Sequence, residues 1–390
     1  MQDLAAALSA RKQQQLYRTR QTLEGPQDVV VRIGGRAYLS FCSNDYLGLA
    51  NHPRVIAALK EGADRFGVGS GAAHLITGHS YAHQALEEEL ADFVGRPRAL
   101  LFSTGYMANM GVVSALTGRG DAVFEDRLNH ASLLDAARLS DARLVRYAHN
   151  DMTALQRKLG DNQARQRLLA TDSVFSMDGD CAPLLELQRL AQQQAAWLLV
   201  DDAHGLGVLG DQGRGYCADQ LGPGDDNLVL MATLGKALGT GGAFVAGSTA
   251  LIETLIQQAR TFIYTTAAPP ALAWATRTAL QLVREGDERR AQLLANIAQF
   301  RQGAAQLELP LMAADSAIQP LLVGEAGAAL SLSEALRRRG VLVTAIRPPT
   351  VPPGAARLRV TLCARHNSEQ IDTLLEALAD TYQAYEHAAH

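Results

Sequence analysis

Seven short apolar runs constrain this chain more than any other feature. They fall at 99–102, 122–124, 144–145, 168–170, 197–200, 228–230 and 243–245. Each is too short for a helix, and its neighbouring residues are apolar in succession rather than in alternation. A strand of that kind hides both faces. Helical stretches separate most of the runs, which predicts an α/β fold with a mostly parallel sheet and helices on each side. Ser80 can cap a helix running to Gly95, with Ala82, Leu86, Leu90 and Phe93 apolar. Asn51 can cap another that carries Pro53 in its first turn and ends at Gly62 or Gly67.

The flanks read differently. The first twenty residues form a polar helical pattern, and residues 29–31 and 38–39 flank Gly34-Gly35 as a β-hairpin. After Pro269-Pro270 a helical pattern runs from Ala271 to about Gln306. Strand-like pieces follow at 318–323, 341–344 and 358–362, with helices between and after. The expected organisation is an N-terminal helix and hairpin over 1–50, a large α/β domain over 51–270 and a smaller C-terminal α+β domain over 271–390.

Charge and composition exclude several classes. The 36 Lys+Arg against 40 Asp+Glu leave a net charge of -4, without the basic excess of a nucleic-acid binder. The longest basic cluster, Arg337-Arg338-Arg339, ends a helical pattern closed by Gly340, where cations suit the helix dipole. No uncharged apolar run reaches the roughly 18 residues of a membrane span. The N-terminal residues mix Leu and Ala with Gln and Arg, unlike a secretory leader. Cys42, Cys181, Cys217 and Cys363 form no CxxC pair. A reduced, cytoplasmic setting is expected, without nucleic-acid or membrane partners.

In an open α/β sheet, ligands bind beyond the carboxyl ends of the strands. Ser103-Thr104-Gly105-Tyr106 follows the first run and opens a helical pattern, a turn suited to phosphate. Later strand ends carry Glu125-Asp126 with Asn129-His130, then Ser176-Met177-Asp178, Asp201-Asp202-Ala203-His204 and Thr233-Leu234-Gly235-Lys236. One such residue is usually a cap or a packing group. Five sets at one sheet edge make a site. Asp201 and Lys236 are the informative pair. A partly buried Lys is a usable amine nucleophile, and a buried Asp needs a cationic partner. Pyridoxal phosphate answers both, with an aldehyde for Lys236 and a pyridinium nitrogen for Asp201, and brings a phosphate for the turn at Gly105. His204 could reach its phenolic oxygen, and His130 could stack on its ring.

Three patterns are decoys. Residues 205–210 match GxGxxG after a strand, but Asp211-Gln212-Gly213-Arg214-Gly215 begins no helix, so the dinucleotide fingerprint fails. Residues 67–72 fit GxGxxA but follow a helix. His79, His83 and Glu87 fall on one predicted helical face, yet HExxH is absent and a solvated face accounts for them. No metal is expected.

With these residues in place, the chain resembles the α-oxoamine synthases. These are fold-type I, aminotransferase-like pyridoxal-phosphate enzymes that join an amino acid to an acyl thioester with loss of CO2. The likeness runs from about Leu8 to about Leu378. It rests on Ser43-Asn44-Asp45-Tyr46-Leu47-Gly48, on residues 129–134, 174–180 and 201–205, on Thr233-Leu234-Gly235-Lys236, and on Ile346-Arg347-Pro348-Pro349-Thr350-Val351-Pro352. The last segment favours the branch that forms 8-amino-7-oxononanoate for biotin over those making aminolevulinate, acetylating glycine or acylating serine. Glycine C-acetyltransferase is the runner-up.

The resemblance implies roles for named residues. Lys236 holds the cofactor and acts as base, Asp201 keeps the pyridine nitrogen protonated, and His204 and Ser176 contact the phenolic oxygen side. His130 stacks on the ring and touches substrate. Gly105, Tyr106 and Thr233 help hold the cofactor. Asn44 and Arg359 take the amino-acid carboxylate, a task that suits bidentate Arg. Arg18, or Arg20 beside it, and Thr350 take the acyl substrate. The implied substrates are L-alanine and a pimeloyl thioester of an acyl carrier protein or coenzyme A. The implied assembly is a homodimer, with Thr265 and Thr266 candidates to serve the neighbour's cofactor. The chain departs from the family at Thr104 and Ala237, often Gly, at His79, often aromatic, and at Asp172, commonly Glu.

Overall fold

The computed structural model describes residues 3–223 and 225–389. Residues 1 and 2 of the expected N-terminal helix lie outside them. The chain forms two compact units, one of Leu49–Ser176 with Cys181–Arg290, the other of Met1–Gly48, Met177–Asp180 and Ala291–His390.

All seven apolar runs become strands of a single sheet in the larger unit. Its spatial order is Arg98–Phe102, Ala243–Gly247, Leu228–Thr233, Trp197–Asp201, Arg167–Asp172, Ala122–Asp126, Arg143–Tyr147. Ala243–Gly247 is antiparallel to both neighbours and the other pairings are parallel, so six strands run the same way. Val123, Leu168, Leu199, Val229 and Val245 pack with Val112 and Val113 of the helix Gly105–Leu116 and Leu133 of the helix Ala131–Leu139. Each such side chain contributes roughly 1.5–3 kcal/mol by leaving water, and their consecutive placement is why the strands read as unbroken apolar runs.

Helix starts follow local chemistry. Thr104 Oγ1 accepts from Met107 N at 3.1 Å and starts Gly105–Leu116. Ser80 and His83 form a reciprocal capping box at Tyr81–Phe93. His52, not Asn51, caps Pro53–Phe66, its Nδ1 accepting from Arg54 N at 3.3 Å. Pro53 holds the first helical position, so the cap falls on the residue just before it. The long pattern from Ala271 is two helices: Pro270–Arg284 ends and Asp287–Gln306 begins around Gly286, with Asp287 and Glu288 suiting the new N-terminus.

In the smaller unit, Val30–Ile33 pairs antiparallel with Arg36–Ser40 through Gly34 and Gly35, both at positive φ (58° and 74°). A tight hairpin with two such residues is why glycine stands twice here. Val341–Leu342 adds in parallel to Arg36–Ser40. Ile318–Gly324, Ala356–Thr361 and Thr344–Ile346 make a separate antiparallel sheet. The N-terminal helix covers Leu4–Gln13, shorter than the polar pattern, and starts at Asp3, whose carboxylate accepts from Ala5 N and Ala6 N. No helix among the described residues is long and apolar enough to cross a membrane.

Candidate active site

Six parallel strands bring their carboxyl ends to one edge of the sheet. A cavity of about 190 Å³ in the larger unit is lined there by Gly105, Tyr106, His130, Ser132, Asp172, Ser176, Asp201, Ala203, His204, Met231, Thr233 and Lys236. The eight residues expected to hold the chain's own cofactor all line this one cavity, and Thr265 and Thr266 do not.

Lys236 follows the strand Leu228–Thr233 on a tied-down loop. Leu234 N donates to Gly242 O at 2.9 Å, Thr240 N to Leu234 O at 3.0 Å and Gly239 N to Lys236 O at 2.8 Å. Gly239 sits at φ 66°, and a Cβ there would come within 2.3 Å of Ala50 N, so no other residue fits without moving the loop. Thr233 Oγ1 donates to Gly242 O at 3.2 Å and accepts from Gly235 N at 3.3 Å. Lys236 Nζ lies 2.9 Å from His204 Nε2.

Asp201 ends the neighbouring strand and is buried. Its Oδ2 accepts from Asn109 Nδ2 at 2.8 Å and its Oδ1 from Ala203 N at 3.1 Å. These neutral donors hold the carboxylate while leaving its charge for a cationic partner. Asp172 stands beside Asp201 across the strand pair, and its Oδ2 accepts from His130 N at 2.7 Å. Burial, and then the negative charge of Asp201, hold the Asp172 carboxyl well above the usual range. His130 caps Ala131–Leu139 through Nδ1, which also meets Ser132 Oγ at 2.8 Å. Burial pushes its pKa down; Asp201 opposes that and Lys236 adds to it. Tyr106 meets the His130 ring edge-on, with centroids 6.5 Å apart, and its hydroxyl donates to Asp135. The first N–H groups of Gly105–Leu116 lack helical partners and sit beside the cavity at Gly105 and Tyr106, a place for a phosphate.

The decoy glycines of residues 205–215 serve a different carboxylate. Asp202 is fully buried, accepts from Ser173 Oγ and Cys217 N, and is pushed up to about 7 by burial. A Cβ on Gly205 or Gly215 would come within 2.2 Å of its oxygens. No helix follows Gly210 directly; a single 3-10 turn at Asp211–Gly213 does. The expected helical face of His79, His83 and Glu87 is also different. His79 precedes the helix, and its Nδ1 meets His74 Nδ1 at 3.0 Å. The ligating atoms of His74, His79 and His83 lie within 4.8 Å of one another. Both His83 nitrogens are engaged, Nδ1 by Ser80 N and Nε2 by Ala268 O.

The expected substrate residues, His130 apart, belong to the smaller unit. Arg359 is buried; its Nη1 and Nη2 reach Asn44 Oδ1 at 3.3 and 3.2 Å, and Nη1 donates to Thr361 Oγ1 at 2.8 Å. Arg18 Nη2 donates to Thr350 Oγ1 at 3.3 Å, and both line a cavity of about 690 Å³ with Tyr17, Cys42 and Arg347. Sequence reasoning missed Asn109 and Ser132. The available signal was a lone Asn inside the otherwise apolar segment Tyr106 to Val113.

An amine beside an imidazole, a buried carboxylate on neutral donors, and a helix N-terminus at one sheet edge fit pyridoxal phosphate. Fold and site together define a fold-type I pyridoxal-phosphate enzyme. Residues 36–378 match the aminotransferase class I and II family. The chain is 62% identical over 379 residues to the 8-amino-7-oxononanoate synthase of Methylococcus capsulatus, covering 97% of this chain and 98% of the relative. It is 62% identical over 372 residues to that of Nitrosococcus oceani, covering 95% and 98%. Among solved structures, serine palmitoyltransferase from Sphingomonas wittichii superposes with a TM-score of 0.92 at 31% identity, covering 98% and 97%. The 8-amino-7-oxononanoate synthase from Francisella tularensis gives 0.78 at 33% identity, covering 90% and 99%. The chain belongs to the 8-amino-7-oxononanoate synthases, pyridoxal-phosphate-dependent acyltransferases of biotin biosynthesis.

Proposed function

We propose that the chain condenses L-alanine with a pimeloyl thioester, carried by acyl carrier protein or coenzyme A. The alanine α-carbon gives up its proton and forms a bond to the thioester carbonyl carbon, and the carrier thiolate leaves. The bond from the α-carbon to its carboxylate breaks, CO2 departs, and a proton takes its place to give 8-amino-7-oxononanoate. When bound, the cofactor supplies an electron sink for the α-carbon.

Lys236 Nζ would hold the cofactor's aldehyde carbon and, once displaced by the substrate amine, would carry the α-proton. Asp201 would hold the positive ring nitrogen. His204 and Ser176 would face the phenolic oxygen, His130 would lie against the ring and the substrate, and Gly105, Tyr106 and Thr233 would hold the phosphate end. Asn44 and Arg359 would take the alanine carboxylate, and Arg18 and Thr350 the acyl substrate. A homodimer in the cytoplasm completes the reading.

The observation that carries it is the meeting of Lys236, His204, His130 and Asp201 around one cavity. The test is a competition assay with alanine against glycine and pimeloyl against acetyl thioesters, using the pyridoxal-phosphate-loaded protein. Alanine with the pimeloyl thioester should give product and CO2 in equal amounts. Turnover confined to glycine with the acetyl thioester would move the chain to the glycine acetyltransferase branch.

A further inference from the structure

We propose that Asn109 and Ser132 are positioning residues. A single run of hydrogen bonds, Asp201–Asn109–Ser132–His130, places the His130 ring proton on Nε2 and anchors the Asp201 carboxylate. This rests on the reading that the cavity holds pyridoxal phosphate.

The directions of the bonds follow from chemistry. Asp201, as a carboxylate, only accepts, so the Asn109 atom 2.8 Å from its Oδ2 is the amide nitrogen. The same nitrogen lies 2.8 Å from Ser132 Oγ, which uses its second N–H. Ser132 Oγ, having accepted, has one hydrogen to give, and His130 Nδ1 stands 2.8 Å away. Ser132 N also donates to that Nδ1, at 3.3 Å. Two donors aimed at one ring nitrogen exclude a proton on it, so the proton sits on Nε2. Asn109, Ser132 and Asp201 are 0%, 1% and 5% exposed, so the contacts are shielded from water.

Asn109 is a costly choice if packing alone mattered. Its Oδ1 is buried and has no hydrogen-bond partner among the described residues. A leucine would fill the helix face without that penalty. What the amide adds is two donors directed at two groups of the cavity. The other groups that face His130 are Lys236, Tyr106 and Asp172, whose carboxylate accepts from the His130 backbone N–H.

The test uses the holoenzyme with 15N-labelled histidine, His130 being assigned by loss of its signals in His130→Asn. Wild type should show an unprotonated Nδ1 and a protonated Nε2. Ser132→Ala should show mixed tautomers, and Ser132→Thr, which keeps the hydroxyl, should restore the wild-type pattern. In Asn109→Leu the midpoint pH of the bound cofactor's visible absorbance titration should rise by about one unit, the size of one charge-assisted hydrogen bond. A role in packing alone would lower thermal stability without moving tautomer or midpoint. An unchanged tautomer in Ser132→Ala, or an unchanged midpoint in Asn109→Leu, overturns the proposal. A wild type that takes up no pyridoxal phosphate would instead fail the functional reading, and the tautomers of wild type and Ser132→Ala would still decide the network.

Discussion

Two carboxylates stand side by side on neighbouring strands in different surroundings. Asp172 and Asp201 are paired across the sheet, and burial together with the charge of Asp201 holds the Asp172 carboxyl well above the usual carboxylate range. Asp172→Asn should therefore cost under about tenfold in kcat, since an amide oxygen can still accept from His130 N. Asp201→Asn should lose on the order of a hundredfold or more. Steady-state kinetics on the two loaded variants checks the contrast; equal losses would contradict it. Glu87 offers a separate test. Burial pushes it up to about 7 from 4.5. The folded state then holds more protons than the unfolded one between those values, so stability falls as pH rises through that window and levels off above it. Glu87→Gln, which can still accept from Leu101 N, should gain roughly 2 kcal/mol more at pH 8 than at pH 5 in thermal unfolding. A pH-independent difference would refute the shift. The sequence made Lys236, Asp201, His130 and His204 legible because each follows an apolar run. It could not reveal that Asn109 meets Asp201, which lies 92 positions further along the chain.

At the scale of elements, the apolar runs were legible because a strand buried on both faces has no polar alternation to disguise it. Strand order was not legible. Ala243–Gly247 slots antiparallel between Arg98–Phe102 and Leu228–Thr233, a long-range pairing that its own residues do not encode. Helix ends were legible only where one residue decides them, as at Ser80; at Glu285-Gly286 the helical periodicity hid the break. The glycine loop after Asp201 looked like a dinucleotide site because close approach to any oxygen demands glycine, here the oxygens of buried Asp202. Gly205→Ala should cost several kcal/mol, and differential scanning calorimetry should show a Tm lowered by roughly 5–10 °C. Nicotinamide dinucleotide should leave the wild-type Tm unmoved. A ligand-induced rise would restore the discarded reading.

For the molecule as a whole, binding and stability are linked. A cofactor that binds the folded chain and not the unfolded one stabilises it by about 2.7 kcal/mol at a hundred times its Kd. Pyridoxal phosphate should therefore raise Tm by roughly 3 °C, and Lys236→Ala should lose most of that rise. The reading of the chain hangs on one covalent link. Borohydride reduction of the loaded protein followed by peptide mass mapping should place a phosphopyridoxyl group on Lys236, with that label lost in Lys236→Ala. A label on another lysine, or none on a wild type that still makes product, would contradict the account.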